Sequence, residues 1–558
     1  FPTRRSSDLK MRFFVMYIYT IMSVFFRFIF TVVLLSAVLV SCAKRGSPSG
    51  GDKDETPPKF VKANPEPFTT NFNEDEIRIF FNEYVKLKNS QQQIVISPPI
   101  DPAPYITPLG SPNKVVKINF NDSVLKPNTT YTVNFGRSIE DNNEGNPLEF
   151  FKYVFSTGAY IDSLKLEGSV KDAFKRVPEQ FITVALYELN ENYKDSIIYN
   201  EIPRYITNTL DSATTFQFEN LKEGTYKLVA FKDNNNNYKF EPKVDKVAYL
   251  QDTITLPTDK TYELTVFKEE LDLKFLKPKQ IGKQHILFGY EGRPSNTNIT
   301  LLTDTPDNFE YRVLKDRTTD SLHYWFKPFL EETDSLVFKV ESGTYNDTLI
   351  TRFKDQFADT LEIAKADKIN ILLNKAFTVS ANTPLALINP ELISVVDKDT
   401  LNIPFEASLD TIKNTVNVNF EPTESNRYQI TFLPEAITDF FNATNDSLSY
   451  SVPTKEFSDY GDLFLTVQNV KSYPIIAQLL NNKGEVIYEK YKETESVFEF
   501  TKIDPKKYFI RIIYDTNANG YWDTGSYLDK RQPEPVVFYP EEIEIRANSE
   551  IYQTFILK

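Results

Sequence analysis

The chain has 558 residues with 77 acidic and 63 basic side chains, a net charge of −14, which excludes nucleic acid as a partner because phosphate binding needs clustered Lys and Arg. Its one cysteine allows no disulfide within the chain, and two histidines, His285 and His323, far apart in the sequence, leave no His-based triad or zinc site, since such sites need several partners. Seventeen glycines, well under the typical ~7%, make turns rest on Asn, Asp and Pro, and the length exceeds one core and calls for several domains of about 100 residues each.

Residues 1–10, FPTRRSSDLK, are polar and arginine-rich and read as a non-native leader, with Met11, Met16 and Met22 as possible starts. Arg27 precedes an apolar run from Phe28 to Val40, the length of a signal-peptide core and short for a membrane span. The alternative, an uncleaved helix from Phe13 to Val40, would place Arg27 in mid-bilayer at high cost. The run ends in Leu39-Val40-Ser41-Cys42, which resembles a bacterial lipobox. That resemblance implies removal of a signal peptide at 11–41 and acylation of the Cys42 sulfur, with more than one acyl chain for stable anchoring. Residues 42–56, rich in Gly, Ser, Pro and charge, read as a flexible tether.

Beyond the tether, strand-like alternation is everywhere: KVVKINF, TYTVNFG, TYKLVAF, TVNVNF and KYFIRIIY carry apolar residues on one or both faces, separated by polar turns. That pattern predicts an all-β chain of tandem sandwiches. Residues 57–158 carry Pro57-Pro58 and Asn64-Pro65, then Phe81-Asn82-Glu83 with Val85, then Leu125, Thr129, Tyr131 and Val133, an Asp141…Gly145-Asn146 turn and Phe155 to Thr157. These ordered markers resemble the SbsA-type bacterial Ig-like domain, a sandwich that brings no catalytic residues. Residues 161–268 carry Phe216, Phe218, Leu221, Gly224, Tyr226 and Leu228 and resemble the transthyretin-like or Cna-B-like small sandwich. Residues 270–364 read as a further Ig-like sandwich. Residues 365–460 echo the first domain strand for strand without its Asn-Pro opening or glycine turn. Residues 461–558 repeat the second domain with Phe498, Phe500, Ile503 and Tyr508 in register, Pro505-Lys506-Lys507 replacing the glycine turn. The expected architecture is a rod of tethered sandwiches.

Each transthyretin-like repeat contains an Asp/Asn loop. In YDTNANGYWDTG, Asp515, Asn517 and Asn519 alternate ahead of Gly520, with Tyr521 and Asp523 following; in FKDNNNNYKFEP, Asp233, Asn235, Asn237 and Glu241 keep the spacing. Calcium takes six to eight oxygens, and alternate Asp/Asn before glycine lets a short loop converge on it. Asp515, Asn517 and Asn519 would give side-chain oxygens, Tyr521 its carbonyl and Asp523 a ninth-position ligand, with Ser526 where an EF-hand has a bidentate Glu. The competing reading is successive Asx turns with Gly520 at positive φ. At the first loop Tyr238 replaces the glycine and is expected to resist that backbone angle. The histidines are expected on exposed strand surfaces. Trp325 and Trp522 could stack on sugars, although aromatics mostly serve burial. The function these features imply is a non-enzymatic, lipid-anchored outer-membrane protein of a Gram-negative envelope, a spacer or scaffold. The alternatives are a glycan- or protein-binding lipoprotein and, third, a hydrolase.

Overall fold

A computed structural model describes residues 54–209, 214–365 and 376–558; Cys42, the leader, the signal peptide and nearly all of the tether lie outside the described residues. Within them the strands pair into five sandwich modules of two main sheets each, the fourth with a further two-stranded pair, Leu385–Ile388 with Ile437–Asp439, and no helix is long and apolar enough to cross a membrane. Each module encloses its own buried apolar cluster, so each has a centre to fold around. The pattern that drives this is visible in Glu76–Leu87, where Ile77, Ile79 and Phe81 are buried while Arg78 and Asn82 face water. Each buried side chain of that kind contributes roughly 1.5–3 kcal/mol.

The first module pairs Phe60–Asn64, Glu76–Leu87, Asn113–Asn119 and Tyr105–Thr107 in one sheet and Val95–Ser97, Thr130–Asn134 and Lys152–Ser156 in the other. The fourth reproduces this order with Ile363–Lys365, Ala376–Ala381, Thr415–Phe420 and Phe405–Asp410 against Ile393–Val396, Arg427–Phe432 and Leu448–Pro453. Even the corner bonds recur. The Tyr131 hydroxyl accepts the Lys126 N–H at 2.7 Å, and Tyr428 accepts Thr423 at 2.7 Å. Thr157 donates to the Lys126 carbonyl as Thr454 does to that of Thr423, both at 2.7 Å. The glycine-free turn of the fourth module keeps its anchor: Asp141 accepts the N–H groups of Asn143 to Asn146, and Asp439 those of Phe441 and Ala443.

The second and fifth modules also share one topology. Thr215–Leu221, Leu164–Asp172 and Thr261–Val266 form a sheet whose last pair is parallel, as do Val497–Ile503, Gly461–Gln468 and Glu550–Ile556. The facing sheets run Tyr205–Asn208, Thr183–Glu188, Gly224–Phe231, Val247–Tyr249, and Val486–Lys492, Ile475–Leu480, Lys507–Tyr514, Val536–Phe538. The third module packs Lys274–Phe275, His285–Glu291, Ser321–Lys327 and Glu310–Lys315 over Asn298–Leu301, Ser335–Ser342 and Tyr345–Arg352.

The modules are not strung in line, which corrects the expected rod. In Gly224–Phe231 the last six residues are all buried, so that sheet needs cover on both faces. Its outer face forms a second cluster with Ala185, Tyr187, Val229, Phe231, Tyr249 and Phe267, completed by Tyr527 of the fifth module. Around it Thr524 donates to the Lys268 carbonyl at 2.6 Å, the Tyr527 N–H to Glu269 at 2.5 Å and Gln532 to the Tyr249 carbonyl at 3.2 Å. Arg511, 3% exposed, lies 3.7 Å over the Phe174 ring and donates to the Phe174 carbonyl. The second module meets the third through Lys243–Glu291, and the third meets the fourth through Arg317 to the Lys413 carbonyl. The fourth meets the fifth through Lys455–Asp504. The second to fifth modules therefore close a circuit, with the first held to the second by Lys152–Glu219 and Thr132–Asn220.

Candidate functional sites: two Asp/Asn loops and a histidine pair

The loops are superposable in their bonding. Asp515, fully buried, accepts the N–H groups of Asn519 at 3.1 Å and Gly520 at 2.7 Å; Asp233 accepts those of Asn237 at 3.2 Å and Tyr238 at 2.8 Å. Asn517 and Asn519 both donate to Asp523 Oδ2, at 2.6 and 2.5 Å. Asn235 and Asn237 donate to the two oxygens of Glu241, at 2.5 and 2.7 Å. Tyr521 donates its N–H to Asn519 at 3.0 Å. Gly520 takes φ 85°, as expected. Tyr238 takes φ 58°, contrary to expectation: the N–H bond to Asp233 and the ring's seat against the second cluster hold it in a conformation a side chain resists.

Two further carboxylates belong to these loops. Buried Glu534 accepts the N–H groups of Thr516 at 2.6 Å and Asp523 at 2.9 Å; buried Asp245 accepts those of Asn234 at 3.0 Å and Glu241 at 2.9 Å. Sequence spacing could not find them, because they lie at different distances from the ninth-position acid in the two copies. Burial pushes the Asp233 carboxyl up, reinforced by the charge of Asp245 and opposed by the backbone N–H bonds. No group of three or more His, Cys, Asp or Glu side chains disposed to hold a metal occurs among the described residues, so any cation here would depend on the asparagine amides.

The second loop is the docking element of the fifth module. Trp522 donates its indole N–H to the Glu534 carbonyl at 3.0 Å and packs on Phe174 at 4.6 Å. Arg293 of the third module lies 4.5 Å over the Tyr521 ring and 3.3 Å from Asp523. Trp325 is 2% exposed. Both tryptophans are thus packing residues.

The histidines are not isolated surface residues. They lie on neighbouring strands, with Leu287 paired to His323 and His285 to Trp325. His285 is 6% exposed, its Nε2 lies 2.7 Å from His323 Nδ1, and His323 Nε2 lies 2.9 Å from Asp316 Oδ2. Strand register brings together residues that sequence distance holds apart. An open cleft of about 790 Å³ lies between the first and second modules and includes Phe150, Tyr262, Glu167 and Glu263. Its two carboxylates are already engaged, Glu167 by Gln217 and Glu263 by Lys171.

Residues 54–157 match the family model described as a bacterial Ig-like domain. No curated protein matches the chain. Among solved structures it is similar to BcpA, the major pilin subunit of Bacillus cereus, at 11% identity over 71% of this chain and 99% of that one, TM-score 0.14. It is similar to the S-layer protein SbsC at 12% identity over 88% and 67%, TM-score 0.13. It is also similar to the Bacillus anthracis TIE protein at 11% identity over 92% and 76%, TM-score 0.12.

Proposed function

We propose that the chain is a non-enzymatic, lipid-anchored protein of a Gram-negative outer membrane, in which paired sandwiches form a structural scaffold. The observation that carries this reading is the docking of the second and fifth modules. Hydrogen bonds from Thr524, the Tyr527 N–H, Gln532 and Arg511 tie the fifth module to the second, and the Tyr527 plug is buried between them. On this reading the first and fourth modules are SbsA-type Ig-like, the second and fifth transthyretin- or Cna-B-like and the third Ig-like. The anchor reading is supported by Leu39-Val40-Ser41-Cys42 directly after the apolar run. Globomycin is expected to accumulate an unprocessed precursor; normal processing would remove the anchor. The acidic stretch from Asp52 to Glu55 is set back from Cys42 by Ala43-Lys44-Arg45 and the Gly/Ser segment. Protease shaving of intact cells decides between the periplasmic and the outer face.

A glycan- or protein-binding role has one observation in its favour, the open cleft flanked by half-exposed Phe150 and by Tyr262. Binding on a glycan array, lost in Phe150→Ala, is the outcome that would replace the scaffold reading. Hydrolysis of polysaccharide or ester substrates by the purified protein would do the same for the third reading. Calcium at the second loop would require the Asn517 and Asn519 amides to turn over, placing their oxygens beside Asp515 and Asp523. Affinity would then be about 10⁻⁴ to 10⁻³ M. A rise in melting temperature at millimolar Ca²⁺, absent in Asp523→Asn, supports the ion; no rise leaves the loop closed by its own hydrogen bonds.

A further inference from the structure

Asp316, His323, His285 and Asp359 stand in a row across one end of the third module. The chain has two histidines in 558 residues, and both are in this row. Asp359 belongs to the segment that leaves the module after Tyr345–Arg352 and leads toward the fourth. That segment lies along the turn before His285: Gln280 bonds Lys354 in both directions, and Lys283 donates to the Phe357 carbonyl at 3.1 Å. A Cβ on Gly282 would come within 2.1 Å of Asp359 Oδ2, so the carboxylate occupies the space that a side chain there would fill. Trp325 stacks on His285 at 3.4 Å, and Phe441 of the fourth module meets Trp325 at 6.0 Å.

We propose that the two histidines form a proton-operated latch that fastens the segment carrying Asp359 to the third module's sheet. A carboxylate only accepts, so His323 Nε2–H donates to Asp316. In the neutral pair His323 Nδ1 is then an acceptor, and His285 Nε2–H donates to it. This leaves a lone pair on His285 Nδ1 facing Asp359 Oδ2, acceptor against acceptor. The geometry records that state: the buried Nδ1 makes no hydrogen bond, and the carboxylate oxygen stands 3.5 Å away.

One proton reverses the row. It enters at His285 Nδ1 while the Nε2 proton passes to His323 Nδ1. His323 becomes an imidazolium donating at both nitrogens, and His285 stays neutral with Nδ1–H now aimed at Asp359. The new charge lies between the Asp316 and Asp359 carboxylates. A second proton would set donor against donor across 2.7 Å; burial, with the His323 charge, holds His285 down to about 3. Burial pushes the Asp359 carboxyl up, opposed by His323, so a donor relieves it. The nearby cations are otherwise engaged: Lys283 with Asp355, Lys327 with Glu310, Arg312 over the Phe440 ring, and Arg317 on the Lys413 carbonyl.

The fastened state binds the proton more tightly than the free segment, so acidification from pH 8 to 5.5 stabilises it and raising the pH releases it. Hydrogen–deuterium exchange of residues 353–362 in the full chain, corrected for intrinsic rates, tests this. Protection is expected to rise several-fold on acidification. Asp359→Asn offers an amide N–H to the Nδ1 lone pair without a proton and should be protected equally at both pH values. His323→Phe removes the proton's seat and frees neutral His285 to carry its proton on Nδ1, so protection in this variant should not change with pH. Unchanged protection in the wild type, or a rise retained in either variant, overturns the latch.

Discussion

At the scale of single residues, buried acids anchor several of this molecule's turns. Asp515 makes two backbone bonds from a fully buried position, and a buried bond to a charged acceptor contributes about 1.5–3 kcal/mol. Asp515→Ala is therefore expected to lower stability by about 2–3 kcal/mol in denaturant melts, while Asp523→Asn, at a partly exposed position, should cost less. Their alternation was legible in the sequence, and so was their equivalence to Asp233 and Glu241. Glu534 and Asp245 were not, because folding rather than spacing brings them to the loop. Tyr238 misled for a related reason: intrinsic backbone preference is a cost of about 1 kcal/mol, smaller than what its N–H bond and ring burial return. The histidine pair was hidden because register between strands is a tertiary property. His285, held down to about 3 by burial and by His323, favours the native state above the ordinary imidazole value of 6.5 and loses that contribution as pH falls toward 3. Acid melts of His285→Phe should accordingly show a weaker pH dependence between those values than the wild type.

At the scale of elements, strands followed from apolar alternation, and the echo of the first domain in the fourth was read strand for strand; the turn lost its marker glycine but kept its anchoring acid, Asp439 in the role of Asp141. The expected rod left unexplained why some sheets are apolar on two faces. TYKLVAF and KYFIRIIY are apolar on both sides, a signal that something packs outside the sandwich, but periodicity does not say what. The answer is the segment around Tyr527, which plugs the second module's outer cluster. Replacing it should unseat the fifth module without unfolding it, since the fifth keeps its own core. Tyr527→Ala is expected to weaken docking by about 3–5 kcal/mol, the cost of emptying a large aromatic site, read as faster exchange at Val247–Tyr249 with Glu550–Ile556 unchanged.

At the scale of the whole molecule, the order of modules along the chain does not give their arrangement in space. Small-angle scattering of the wild type should report a particle shorter than five sandwiches in line. Tyr527→Ala combined with Arg511→Ala should raise the radius of gyration as the circuit opens; an unchanged radius would mean the modules hold without that contact. Deleting residues 461–558 should expose Tyr249 and Phe267 and increase binding of a hydrophobic dye, because an apolar face of that kind does not stay in water unaided.

The clasp between the second and fifth modules also decides where a pull would travel. Tension applied between the first module and the C-terminus passes mainly through the Tyr527 and Arg511 contacts, while the third and fourth modules share load only through exposed pairs such as Lys243–Glu291, Arg293–Asp523 and Lys455–Asp504. In the fifth module it meets Glu550–Ile556 lying parallel to Gly461–Gln468, an arrangement that must be sheared along its length rather than unzipped. Single-molecule stretching should therefore show the clasp yielding first, as a fuse that pays out the reserve of two still-folded domains before any sandwich ruptures.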